Sequence, residues 1–153
     1  MNCTFFGHRN APYSIRKKLK KAIESLADEG CENFFVGNSG GFDLLVQSVL
    51  EELKNENKII KYRIVLSYIG ERALSENQEK TIFPEGQERT LPKFAISKRN
   101  EWMIKNSDVA VVYLLDTATN TAKWIERARK KGLEIINLAK GLLKNRQKNF
   151  III

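Results

Sequence analysis

A chain of 153 residues, 42% apolar and 29% charged, has the length of one compact domain that buries roughly 70% of its unfolded surface. It shows neither the low hydrophobicity of disorder nor an apolar run long enough to span a membrane. Two cysteines and one histidine supply no Cys-x-x-Cys pair and no zinc shell, so no metal and no cofactor is expected; the formal charge of +8 favours a phosphate-bearing partner without choosing which.

The opening residues 1–7 carry no basic lead and no small-residue cleavage site, so a cytoplasmic location is expected. Residues 3–7 read as a first buried strand. Ser14 is placed to cap a helix in which Ile15, Leu19, Ala22, Ile23, Leu26 and Ala27 recur at three- and four-residue spacing up to Gly30. Residues 33–37 are too short for a helix and rich in strand formers, and they run into the glycine turn Asn38-Ser39-Gly40-Gly41. A second amphipathic helix follows over residues 42–56, then a third strand over 62–68.

Residues 70–92 lack periodicity and contain Gly70, Pro84, Gly86 and Pro92, which marks a long connection of the kind that serves as a lid. A helix is predicted over 92–106 with Ile96, Met103 and Ile104 inward, a fourth strand over 109–115, a helix over 121–131 stopping at Gly132, and a fifth strand over 134–138. The C-terminal extension 142–153 ends in Phe150-Ile151-Ile152-Ile153, expected to pair with a sheet edge or pack in a dimer contact, so a homo-oligomer is compatible with the sequence. The whole is a single α/β domain, a Rossmann-like three-layer sandwich with a mostly parallel sheet of about five strands, in which ligands bind at strand carboxyl ends.

Four segments fall there. Gly7-His8-Arg9-Asn10 holds the only histidine and an arginine fork suited to phosphate or carboxylate; a polar histidine beside the core is the competing explanation. In Gly37-Asn38-Ser39-Gly40-Gly41-Phe42-Asp43, glycines let the backbone approach an anion at the start of a helix, and Asp43 can orient a ribose hydroxyl or simply face the helix dipole. The spacing matches neither the dinucleotide fingerprint nor a P-loop. Arg99 and Asn100 lie on a helix where a cation can lean over the cleft, against the reading of an exposed basic pair. Asp116-Thr117-Ala118-Thr119-Asn120-Thr121 can cap a helix or touch a ligand. The basic outer face of the first helix, Arg16, Lys17, Lys18, Lys20 and Lys21, reads as a solvated surface with no aromatic ladder, and nucleic acid is not expected as a partner.

Taken in order, Thr4-Phe5-Phe6-Gly7-His8-Arg9, the glycine turn with its trailing Asp43, Phe83-Pro84-Glu85-Gly86, and Phe94 to Met103 followed by Ser107-Asp108 resemble the SLOG superfamily. This Rossmann-like group is related to the cytokinin-activating phosphoribohydrolases and to the DNA-processing protein of transformation. The match is to a small GHR-bearing bacterial branch. The resemblance implies a cleft for a nucleotide-derived small molecule, such as an ADP-ribose-like or cyclic nucleotide ligand. Gly37, Asn38, Ser39, Gly40, Gly41 and Asp43 would lie on one side of it, with Gly7, His8, Arg9, Glu85, Arg99, Asn100, Thr119, Asn120 and Thr121 around the same pocket. Relatives carry a Gly-Gly pair where this chain has Thr119-Asn120. The phosphoribohydrolase segment Pro-Gly-Gly-x-Gly-Thr-x-x-Glu is missing, so Glu126 receives no assigned acid role and no catalytic residue is identified. Binding, to sense or sequester the molecule, ranks first; a nucleotide hydrolase of phosphoribohydrolase type and a nucleic-acid-associated protein are the alternatives.

Overall fold

The computed structural model describes residues 1–56, 60–68 and 80–139, and the backbone of 150–152. Its centre is a parallel sheet of seven strands in the order β4-β3-β2-β1-β5-β6-β7: β1 Asn2–Gly7, β2 Asn33–Val36, β3 Tyr62–Val65, β4 Thr81–Ile82, β5 Val109–Tyr113, β6 Glu134–Asn137 and β7 Phe150–Ile152. Four helices cover it, α1 Arg16–Asp28, α2 Gly41–Asn55, α3 Ala95–Lys105 and α4 Asn120–Lys130. The Rossmann-like sandwich expected from the sequence is what the chain forms, with two strands more than the apolar runs reveal.

The strands read as continuous apolar runs because both sheet faces are covered, yet side chains still alternate. Along β1, β2 and β5, Cys3, Phe5, Phe34, Val36, Val109, Val111 and Tyr113 join the layer under α1 and α2. Phe6, Phe35, Ala110 and Val112 join Met103, Ile104, Ile125 and Ala128 of α3 and α4 in the opposite layer. Thr4, fully buried in the central strand, donates its hydroxyl to the Phe35 carbonyl at 3.0 Å, which removes the cost of burying it.

Several local expectations change. Ser14 lies in a 3-10 turn, Tyr13–Ile15, and caps nothing, since α1 has no side-chain cap. Ile96 is 39% exposed, and the inward face of α3 is Ala95, Arg99, Asn100, Met103 and Ile104. Of the segment read as a lid, residues 70–79 lie outside the described residues. Residues 80–92 are built in by β4, which pairs with β3, and by buried Gln87, whose amide donates to the carbonyls of Ser67 at 2.8 Å and Ala95 at 2.7 Å. At the far edge β7 pairs in parallel with β6, the sheet-edge pairing anticipated for the apolar end; residues 142–149 lie outside the described residues. No described helix is long and apolar enough to cross a membrane.

Candidate functional site

Chain order reverses at β1: β2, β3 and β4 lie on one side of it, and β5, β6 and β7 on the other. The carboxyl ends of β1 and β5 therefore diverge into loops on opposite sides, the crevice where ligands bind in open parallel sheets. A cavity of about 960 Å³ opens there. It is walled by Gly7 at the end of β1 and Arg9 after it, Ser39 and Asp43 of the glycine turn, Arg99, Asn100 and Met103 of α3, and Asn120, Thr121, Lys123, Trp124, Glu126, Arg127 and Lys130 along α4.

Two side chains organise the floor. Arg99 is only 3% exposed, placed inward by its spacing with Ala95 and Met103 on α3. Its Nε donates to Asn100 Oδ1 at 2.9 Å, one Nη to Asn38 Oδ1 at 3.2 Å and the Val65 carbonyl at 3.5 Å, and the other Nη to Ser39 Oγ at 3.4 Å. Partly buried Asp43 accepts the Ser39 N–H at 2.9 Å. The two charges flank Gly37, where a Cβ would stand 2.6 Å from an Arg99 Nη and 2.8 Å from Asp43 Oδ2, so any larger residue would force both side chains to shift. Burial raises the Asp43 carboxyl above its ordinary range, against the Ser39 hydrogen bond and the nearby charges of Arg99 and Arg9. Burial likewise lowers Arg99, against the Asp43 charge.

The glycine turn is less open than its composition suggests. The Ser39 N–H is taken by Asp43 and the Gly41 N–H by the Arg9 carbonyl at 2.9 Å. Gly40, at φ +111°, turns the chain in a conformation that suits glycine. These amides shape the wall and are not free to cradle a phosphate.

His8 does not line the cavity. Its Nε2 accepts the Leu115 N–H at 2.9 Å and the Asp116 N–H at 3.4 Å, so the ring carries its proton on Nδ1 and ends β5 by holding the loop before α4. Thr119 caps α4, its hydroxyl accepting from Ala122 N at 3.3 Å and donating to the Asp116 carbonyl at 2.9 Å. Thr121 reaches the Gly7 carbonyl at 3.5 Å and, with Asn120, faces the cavity. Glu85 is exposed and lies apart, beside a second hollow of about 470 Å³ with Lys98, Trp102 and Lys131. Glu126 lines the cavity rim, but its carboxylate is ion-paired with Arg129, which holds its pKa below the usual carboxylate range and keeps it ionised, with no proton to donate.

Sequence reasoning missed the α4 wall. Lys123, Arg127 and Lys130 stand at helical spacing along the cleft, and the Arg127 guanidinium lies 5.9 Å from the centroid of the half-buried Trp124 ring. Arg127 also bridges to Glu101 of α3 at 2.6 Å. The signal was legible as cations at i, i+4 and i+7 beside a tryptophan, directly after a strand. The α1 face, weighed instead, is partly neutralised by α2: Arg16 pairs with Glu52 and Lys20 with Glu56, each at 3.0 Å.

A parallel sheet covered by helices, with a crevice where its chain order reverses, defines a Rossmann-like α/β protein. More narrowly, the model of the YspA SLOG family matches residues 2–137, and the chain belongs to that family. No curated protein matches it in sequence. Among solved structures it is similar to DNA processing protein A from Helicobacter pylori, described for its single-stranded DNA binding mode, at 17% identity and TM-score 0.65 over 93% of this chain and 66% of that one. It is also similar to DNA processing protein A (DprA) from Streptococcus pneumoniae, at 14% identity and TM-score 0.66 over 99% of this chain and 58% of that one. The chain thus spans less than two thirds of either relative, and at these identities the likeness is one of fold. It overturns one expectation. Nucleic acid was set aside because no recognised reader was visible, yet the same fold occurs in a protein that binds single-stranded DNA.

Proposed function

We propose that this protein binds single-stranded nucleic acid at the carboxyl edge of its sheet, seating a nucleotide in the cleft and tracking the phosphates along α4. The observation that carries this reading is the row Lys123, Arg127 and Lys130 with Trp124 on one cleft wall. Cations spaced along a groove beside an aromatic face are what sequence-tolerant strand binding uses: charge follows the backbone and a ring takes the base. The net charge of +8 and the single-stranded DNA binding of the Helicobacter relative support it.

A second reading, a free nucleotide-derived molecule such as an ADP-ribose-like or cyclic nucleotide ligand, is favoured by one observation. The cavity of about 960 Å³ lies within the range of small-molecule pockets, about 300–1,000 Å³. Hydrolysis of such a ligand gains nothing from Glu126, which is tied to Arg129.

The test is anisotropy of a labelled oligothymidylate at several salt concentrations. Affinity should fall steeply with salt, and Lys123→Ala and Lys130→Ala should each lower the log–log slope by about one. If the oligonucleotide does not bind at low salt while ADP-ribose raises the melting temperature, the second reading takes its place.

A further inference from the structure

Asn100 is 6% exposed, and its direction is fixed. Its Oδ1 accepts from Arg99 Nε at 2.9 Å, and Arg99 is itself anchored at Asn38, Ser39 and the Val65 carbonyl. The amide nitrogen must then point the other way, toward the cavity that Asn100 lines. No acceptor among the described residues meets it. That nitrogen is not among the side-chain atoms sealed from solvent without a partner, so it opens onto the cavity and leaves a donor for an acceptor there.

The charge on that floor decides what the acceptor is. Among the described residues Arg99 is the one buried cation, and Asp43 stands beside it across Gly37, so the pair is close to neutral as seen from the cavity. A phosphate pushed to the floor would meet the Asp43 carboxylate and find the Ser39 and Gly41 amides already engaged. The cations that carry no such partner at depth, Arg9, Lys123 and Lys130, all stand on the exposed rim. The lining also includes buried Phe6 and Met103 and the half-buried Trp124, apolar surface that suits a flat ring and not a hydrated anion.

We infer that the cleft takes its nucleotide base-first: the Asn100 Nδ2 amide donates to an acceptor on the base edge, Phe6, Met103 and Trp124 enclose the ring, and the phosphates stay at the rim on Arg9, Lys123 and Lys130. The inference rests on the nucleic-acid reading above and deepens it, because it makes the floor a reader of the base and leaves the rim indifferent to sequence.

The experiment compares an oligothymidylate with an abasic phosphodiester of the same length, by competition at fixed salt, for the wild-type chain and Asn100→Asp. The aspartate keeps an acceptor for Arg99 Nε and so keeps the fold, which a thermal melt checks, but it replaces the inward donor by an acceptor. The wild type should prefer the thymidine strand by more than about 10-fold, about 10-fold of it for the Asn100 hydrogen bond and the rest for enclosure of the ring. Asn100→Asp should lower that ratio by about 10-fold while leaving the salt slope unchanged. Equal affinity of the wild type for both strands, with salt dependence intact, overturns the base-first orientation and leaves strand binding standing. The same holds for a ratio that Asn100→Asp leaves unchanged. Failure of both strands to bind at low salt removes the nucleic-acid reading and this inference with it.

Discussion

The loop after β2 and the loop after β5 hold equivalent places in the sheet, each leading from a strand's carboxyl end into a helix, and they use opposite means. The first has glycines at 37, 40 and 41 and engages two of its amides internally, Ser39 on Asp43 and Gly41 on the Arg9 carbonyl. Gly37 leaves room for Arg99 and Asp43, while Gly40 and Gly41 leave room for Arg9. The second has no glycine and is held by side chains: His8 takes the Leu115 and Asp116 N–H groups, and Thr119 caps α4. It carries the cations Lys123, Arg127 and Lys130 into the cleft. A glycine-rich turn at a strand end is thus no proof of an anion cradle. What counts is whether its N–H groups remain unspent once the chain has folded.

Three measurements sharpen the contrast. The largest effect is expected at Gly37→Ala, where the added methyl meets the Arg99 guanidinium and the Asp43 carboxylate together. Overpacking of this kind costs about 1–3 kcal/mol, read as a lower denaturation midpoint at unchanged slope. A loss of binding with no loss of stability would mean that the turn faces the ligand after all. Thr119→Ala should cost about 1 kcal/mol by removing the α4 cap. Because the loop keeps its hold on His8, oligonucleotide affinity should change little; a collapse of binding would show that the cap, not the cation row, sets the site.

The smallest effect concerns pH. Folding raises the Asp43 carboxyl above its ordinary value, chiefly through burial. A raised carboxyl makes ionised Asp43 unfavourable to the native state, so its penalty is present above the raised value and vanishes below the ordinary aspartate value. Asp43→Asn should therefore gain stability relative to the wild type as pH rises through that interval. Denaturant melts across the acid range, with a carboxyl titration by NMR, check the sign; a relative gain on lowering the pH instead would place Asp43 in a favourable ion pair with Arg99.

Strand and helix order followed from local pattern because β1, β2, β3, β5 and β6 are apolar runs bounded by polar or glycine punctuation. Two-residue β4 has no such pattern; it exists because β3 offers it an edge. Ile96 was misplaced because helical spacing alone fits more than one inward stripe, and the stripe actually buried, Ala95, Arg99 and Met103, includes a charge that no hydrophobic period would select.

Sequence by itself settled the family, the parallel α/β architecture and the end of the sheet where a ligand would sit, since these depend on local propensity and on the order of elements along the chain. Tertiary structure alone decided that Arg99 is buried, that Asn100 Oδ1 is engaged by Arg99, that His8 is a clasp, and that the α4 cations share a cavity with the glycine turn. Those facts depend on which groups from distant segments meet and exhaust one another's hydrogen bonds and charge, and contacts of that kind leave no period in the chain to read.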